Sequence, residues 1–170
     1  MIKMSDYQKE ILMTTSIQLN SNECSRCKNI DGLIKYKLKK EHENLCNKHG
    51  YVLENTLKVV NRSIGKVVTH DNVSMIEYNI TMKLNIIYPC EKDIFTVKID
   101  NITKMGVIGY LYDSNDKYNI ENSPILFIVP SGYIEDIESL KKDMKIEVEV
   151  LQSRIKYKSK QIQVVGKLSK

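Results

Sequence analysis

The segment Thr15-Ser16-Ile17-Gln18-Leu19 alternates polar and apolar residues, the pattern of a half-buried strand, and Asn20 or Ser21 can cap the element that follows. Between residues 23 and 45 the apolar positions Ile30, Leu33, Ile34, Leu38 and Leu45 recur near helical spacing. Lys35, Lys37, Lys39, Lys40, Glu41 and Glu43 supply the charged face of that helix. Gly32 weakens its first part, and Gly50 can end it, because glycine tolerates a left-handed backbone. Beyond Gly50 the period shortens: residues 51–53, 57–60, 65–68 and 76–88 read as strands, with turn chemistry at Asn61-Arg62-Ser63 and His70-Asp71-Asn72. A strand, a helix and several strands make a small α/β unit.

Tyr88-Pro89-Cys90-Glu91-Lys92-Asp93 interrupts this pattern with a proline and charges, which places a domain boundary there. Residues 94–99, 105–112, 125–129, 145–151 and 161–168 then read as strands, with loops at Asp113-Ser114-Asn115-Asp116 and Ser131-Gly132. Five short strands in about 80 residues fit an OB-fold barrel, which removes most exposed strand edges by closing on itself. The predicted fold class is therefore α+β. Residues 1–14 form an N-terminal extension, residues 15–88 a small N-terminal α/β domain and residues 89–170 a C-terminal five-stranded OB-fold β-barrel.

Composition narrows the function classes. The apolar fraction of 42% and charged fraction of 28% are those of a globular chain, and no apolar run approaches the ~18 residues of a membrane span, so no membrane partner is expected. Residues 1–6 lack the pattern of a secretory leader. A non-secreted protein keeps Cys24, Cys27, Cys46 and Cys90 as thiols or metal ligands rather than disulfides. The net charge of +5 suits RNA or an acidic protein, and is also common in proteins that bind neither.

The order of these features resembles a known family. A polar-apolar first strand, a helix, then Cys46-Asn47-Lys48-His49-Gly50-Tyr51-Val52 and later Gly65-Lys66-Val67 look like the tip domain of RNA polymerase stalk subunits. That family comprises the seventh subunit of eukaryotic RNA polymerase II and its archaeal counterpart. The strand from Tyr78 to Pro89 resembles the family's strand leading into an Arg-Pro or similar pair, here Tyr88-Pro89. Ile94-Phe95-Thr96-Val97-Lys98-Ile99 and Ile102-Thr103-Lys104-Met105-Gly106-Val107 resemble the start of its RNA-binding OB domain. The bias toward Lys, Asn and Ile, with drifted motifs, looks like a version encoded by a large cytoplasmic DNA virus. The resemblance implies a non-catalytic subunit that docks on the polymerase core through its tip domain, at Cys46, Gly50, Tyr51, Gly65 and Lys66. It also implies contact with nascent single-stranded RNA and pairing with a smaller helical stalk partner. A viral version belongs in the host cytoplasm and the virion, and a cellular one in the nucleus.

An OB barrel that holds single-stranded RNA needs aromatic rings for bases and cations for phosphates. Phe95, Tyr110, Tyr112 and Phe127 supply rings, with Tyr110 and Tyr112 on one face together with Ile108. Lys98, Lys104, Arg154, Lys156, Lys158 and Lys160 supply cations. Each also has an ordinary structural reading, Phe95 and Phe127 as core and residues 154–160 as a solvated hairpin.

Cys24-Ser25-Arg26-Cys27 and Cys46-Asn47-Lys48-His49, separated by 18 residues, raise a competing possibility. Cys24, Cys27, Cys46 and His49 could form a zinc site in an independent RNA-binding adaptor. A straight helix between the pairs would hold them roughly 27 Å apart, so no cofactor is the primary expectation. A protein-interaction module on the same scaffold is a third reading. No nucleophile and base, and no phosphate-cradling glycine loop, mark an active site, so no catalytic residue is expected.

Overall fold

Alternation beginning at Gln8 rather than Thr15 makes one long strand, β1 (Gln8–Asn20), in the computed structural model, which describes residues 7–169. Residues 8–14 of the stretch expected as extension are thus strand, and residues 1–6 lie outside the described residues. Asn20 caps α1 (Ser21–Arg26) through a reciprocal box: its Oδ1 accepts from the Glu23 N–H at 2.8 Å, and Glu23 Oε2 accepts from the Asn20 N–H at 3.1 Å. A second helix, α2 (Ile30–His42), starts at Asn29, whose Oδ1 accepts from the Gly32 N–H. The single helix expected over residues 23–45 is therefore two, because Asn29 offers the backbone a second start. α2 ends at His42, with Asn44 taking the left-handed conformation (φ 60°), so Gly50 is not its terminator.

Two compact units organise the chain: residues 9–43 with 52–86, and residues 7–8 and 44–51 with the chain from Ile87 onward. The break near residue 87 lies beside the boundary expected after residue 88. Residues 44–51, expected in the first domain, group with the barrel.

In the helix-bearing unit β4 (Lys58–Arg62) and β5 (Lys66–His70) both run antiparallel to β6 (Val73–Ile87). Residues 63–65 join them with ladder bonds maintained, since Ser63 N–H donates to Asn79 O and Asn79 N–H to Ser63 Oγ, both at 2.9 Å. The result is one long ribbon, turned at Asp71 and Asn72, which both have positive φ as a tight two-residue hairpin demands. β1 lies beside β6, where Gln18 meets Glu77 and Glu10 meets Lys83. Even-numbered β6 positions from Tyr78 to Ile86 are buried with Ile34 and Leu38 of α2 and with Ile17 and Leu19 of β1. Over that core the Arg62 guanidinium lies 5.2 Å from the Tyr78 ring centroid and 2.7 Å from Asp31.

The other unit holds β2 (Cys46–Asn47) and the first two residues of β3 (Gly50–Val52), which pair as a short hairpin, together with five long strands. These are β7 (Ile94–Thr103), β8 (Gly106–Leu111), β9 (Ile125–Pro130), β10 (Lys145–Arg154) and β11 (Ile162–Leu168). They close in the order β7-β8-β9-β11-β10 and back to β7. All neighbours are antiparallel except β9 and β11. A first-second-third-fifth-fourth order with a parallel third–fifth contact is OB-like. The chain is mixed and mostly β. Among the described residues no helix is long and apolar enough to cross a membrane.

Candidate nucleic-acid interface

Period two decides which barrel side chains can meet a ligand. Val97 and Ile99 point inward, so Lys98 faces out, opposite Tyr110 on β8 and Lys145 on β10. Its ammonium is already engaged: Nζ lies 3.5 Å from Asp116 and 3.8 Å from Asp143. Tyr110 first, opposed by desolvation and then reinforced by Asp116 and Asp143, holds it above the ordinary lysine value. Tyr110 is only 8% exposed, and Tyr112 is covered by Lys145, whose Nζ sits 4.0 Å from its ring centroid and 2.8 Å from its hydroxyl. Tyr110 and Tyr112 thus lie on the outer side of the barrel, but neither offers a bare ring to a base.

Phe95 and Phe127 are corrected from binding residues to core. Both lie inside the barrel with centroids 5.5 Å apart, and the Tyr7 ring lies 4.1 Å from that of Phe95. The Tyr7 hydroxyl donates to the Ile94 carbonyl. Lys104 is exposed in the β7–β8 turn, at the opposite end of the barrel from the β10–β11 turn, as the antiparallel register of β7 and β10 requires.

That β10–β11 turn gathers the remaining cations. Arg154, Lys156, Lys158 and Lys160 are all exposed, and residues 150–161 contain no Asp or Glu. Among the described residues, Arg154, Lys156 and Lys160 have no ion pair. The turn is anchored rather than loose. Lys158 N–H donates to Cys46 O and Cys46 N–H to Ser159 O, both at 2.8 Å, while Gln161 Nε2 donates to Ile120 O at 2.6 Å. Tyr157, 65% exposed between Lys156 and Lys158, presents a ring at the tip, with the Lys158 ammonium 5.7 Å from its centroid. Sequence reasoning missed Tyr157, although an aromatic residue inside Lys-Tyr-Lys, within a turn and off any strand period, was the signal. The arrangement offers a ring for a base and cations spaced along a backbone.

The other sequence-derived groups divide between the units. Cys46, Gly50 and Tyr51 are buried beside the barrel and present no docking surface of their own. Tyr51 donates its hydroxyl to Asn44 Oδ1 at 3.3 Å. Gly65 and Lys66 lie in the ribbon of the helix-bearing unit. Gly65 is packed so closely that a Cβ there would come within 2.6 Å of Ile76 Cγ2 and 2.9 Å of the Tyr78 ring. Next to it Ile64 is 92% and Val67 69% exposed.

The alternative zinc quartet is not assembled. Cys24 and Cys27 belong to the helix-bearing unit, Cys46 and His49 to the barrel unit. Among the described residues no cluster of three or more His, Cys, Asp or Glu could hold a metal ion. Cys27 Sγ donates to Asn29 O at 2.8 Å, and burial pushes the Cys46 thiol up, opposing the thiolate a metal needs. The physical reason is topological: residues 44–51 fold onto the β10–β11 turn. Compared with known proteins, the chain matches no family model and no curated sequence.

Proposed function

We propose that this chain is a non-catalytic subunit of a DNA-dependent RNA polymerase, forming a stalk that docks on the core and contacts nascent RNA. The observation that carries the reading is the order of its two units: a strand–helix–ribbon unit, then an OB-like barrel whose fourth–fifth strand turn bears Arg154, Lys156 and Lys160, without ion pairs among the described residues, and the exposed Tyr157. The helix-bearing unit serves as the tip domain, and the ribbon around Ile64, Gly65, Lys66 and Val67 is its docking element. Exposed aliphatic side chains on a two-stranded ribbon fit a groove on a larger protein. The barrel guides the transcript through Arg154, Lys156, Tyr157 and Lys160. A smaller helical stalk partner completes the assembly, and the coding bias favours a viral polymerase in the host cytoplasm and virion.

Purification of the tagged chain from its native source at moderate salt tests this reading. Recovery of the large polymerase subunits in comparable amounts is the expected result. Their absence, with RNA recovered instead, transfers the function to an independent RNA-binding adaptor.

A further inference from the structure

Cys24 and Cys27 are absorbed neither by the barrel's chemistry nor by a metal site. Both are part-exposed free thiols, one in the last turn of α1 and the other its C-cap. Cys27 N–H reaches Cys24 O at 3.4 Å, so the two residues close one helical turn. Residues three apart on a helix have Cβ atoms about 5–6 Å apart, against about 3.5–4.5 Å in a disulfide. The remaining 1–2 Å or so can come from Cys27, which has left the helix (φ −94°, ψ 125°) and is restrained by a long backbone bond and one thiol donation to Asn29 O. Cys24 sits at the rim of the hydrophobic core, not within it.

We propose that Cys24 and Cys27 are a dithiol site that closes to an intramolecular disulfide, with a small anionic disulfide of the glutathione type as oxidant. One thiolate attacks the oxidant and releases one glutathione thiolate. The second protein thiolate then attacks the mixed disulfide and releases the other glutathione. Two protein thiols lose two protons and two electrons, one S–S bond forms in the protein, and one breaks in the oxidant. Arg26 and Lys28 bracket Cys27 in the chain and attract the anionic oxidant. Cys46 is excluded by burial, and Cys90, in the other unit, has no cysteine within a turn of it. Closure takes Cys27 Sγ from Asn29, the residue that caps α2, so the oxidation state acts on the start of the helix that covers the tip sheet.

The full chain equilibrated with graded ratios of reduced to oxidised glutathione, quenched in acid, alkylated and cut with trypsin gives a direct readout. Cleavage after Arg26 and Lys28 separates Cys24 from Cys27, so a disulfide appears as two peptides still joined, two hydrogens lighter than their sum. The joined species is expected from monomeric protein while Cys46 and Cys90 remain alkylated. Replacing Cys27 by Ser should raise the oxidised glutathione needed for half-modification of Cys24 about tenfold or more, because the second, intramolecular displacement is lost. Separate glutathione adducts on both cysteines, linkage to Cys46 or Cys90, joining only within covalent dimers, or full alkylation at ratios that already modify Cys90 would each overturn the proposal.

Discussion

Glu23 links the two helices of the helix-bearing unit through one carboxylate. Its side chain accepts from the Asn20 N–H and pairs with Lys37 on α2. Lys37 first, and then the Asn20 amide, hold the carboxyl below its ordinary value of 4.5. The unfolded chain therefore takes up the proton at a higher pH than the folded one. The stabilisation is fully present above pH 4.5 and is lost as pH falls through the folded value. Glu23→Gln keeps an acceptor for Asn20 but loses the charge. It should lower stability by about 0.5 kcal/mol at neutral pH, the scale of a part-exposed pair, and the gap to the parent should narrow as pH falls below 4.5 and through the lowered folded value, read by urea titrations. Asn20→Ala, which removes the cap itself, should cost about 1 kcal/mol at every pH. A different residue-scale constraint operates in the barrel wall. A Cβ on Gly109 would come within 2.6 Å of both the Lys98 carbonyl and Val97 Cγ1, whereas one on Gly132 meets nothing within 4 Å. Gly109→Ala should cost about 1–3 kcal/mol of unfolding free energy and Gly132→Ala almost none, measured side by side by denaturant unfolding.

The β10–β11 turn works as an element because its backbone is anchored while its side chains stay in solvent. If it contacts RNA, charge and stacking separate experimentally. Converting Arg154, Lys156 and Lys160 to Glu should lower affinity for a short single-stranded RNA and flatten the dependence of log affinity on log salt by roughly 2, at about 0.7 per phosphate contact. Tyr157→Ala should weaken binding by about 1–3 kcal/mol with little change in slope, because a stacked base releases no counterion. Lys98→Gln should leave both quantities nearly unchanged, since Asp116 and Asp143 already neutralise that lysine. Equal losses from Lys98→Gln and from the turn variants would move the RNA path to the strand face. How much of this was legible in the sequence follows from what each signal measures. Period two correctly set Ile108, Tyr110 and Tyr112 on one side of β8, and all five barrel strands were visible as short β runs. Alternation fixes the two faces of a strand without saying which is inside, so Phe95 and Phe127 were open to either reading. Nor could it show that Lys145 would cover Tyr112, a contact set by pairing across residues 96–112 and 145–147. The break between α1 and α2 was hidden because Asn29 acts through its side chain, which a periodicity count does not weigh. The four-residue zinc pattern was conspicuous in sequence but depended on where residues 44–51 fold, and that is decided by backbone bonds from Cys46 to Lys158 and Ser159.

At the scale of the whole molecule, the proposed function requires two surfaces with separable effects. The ribbon of β4, β5 and β6 is the candidate for protein docking because it combines order with unsatisfied apolar surface. Its ladder persists to the Asp71–Asn72 turn, yet Ile64 and Val67 remain mostly in water. A ribbon that served only to cover its own core would turn these side chains inward, as β6 does with Ile80 and Met82. Gly65 lets the strand lie against Ile76 and Tyr78, which sets the angle at which Ile64 and Val67 are displayed. Replacing Ile64 and Val67 by Asp should therefore leave folding intact, because neither contributes to the buried cluster of this unit. The double variant should keep its melting temperature within about 2 °C and its RNA affinity within twofold, while recovery of the large polymerase subunits falls at least tenfold, the effect of about 1.4 kcal/mol or more of lost interface. The turn variants should show the reverse pattern, keeping polymerase association and losing RNA. Loss of both properties in the ribbon variant with unchanged stability would mean that one surface serves both partners. Unchanged polymerase recovery would remove the ribbon from the docking surface and leave the barrel as the element to search next.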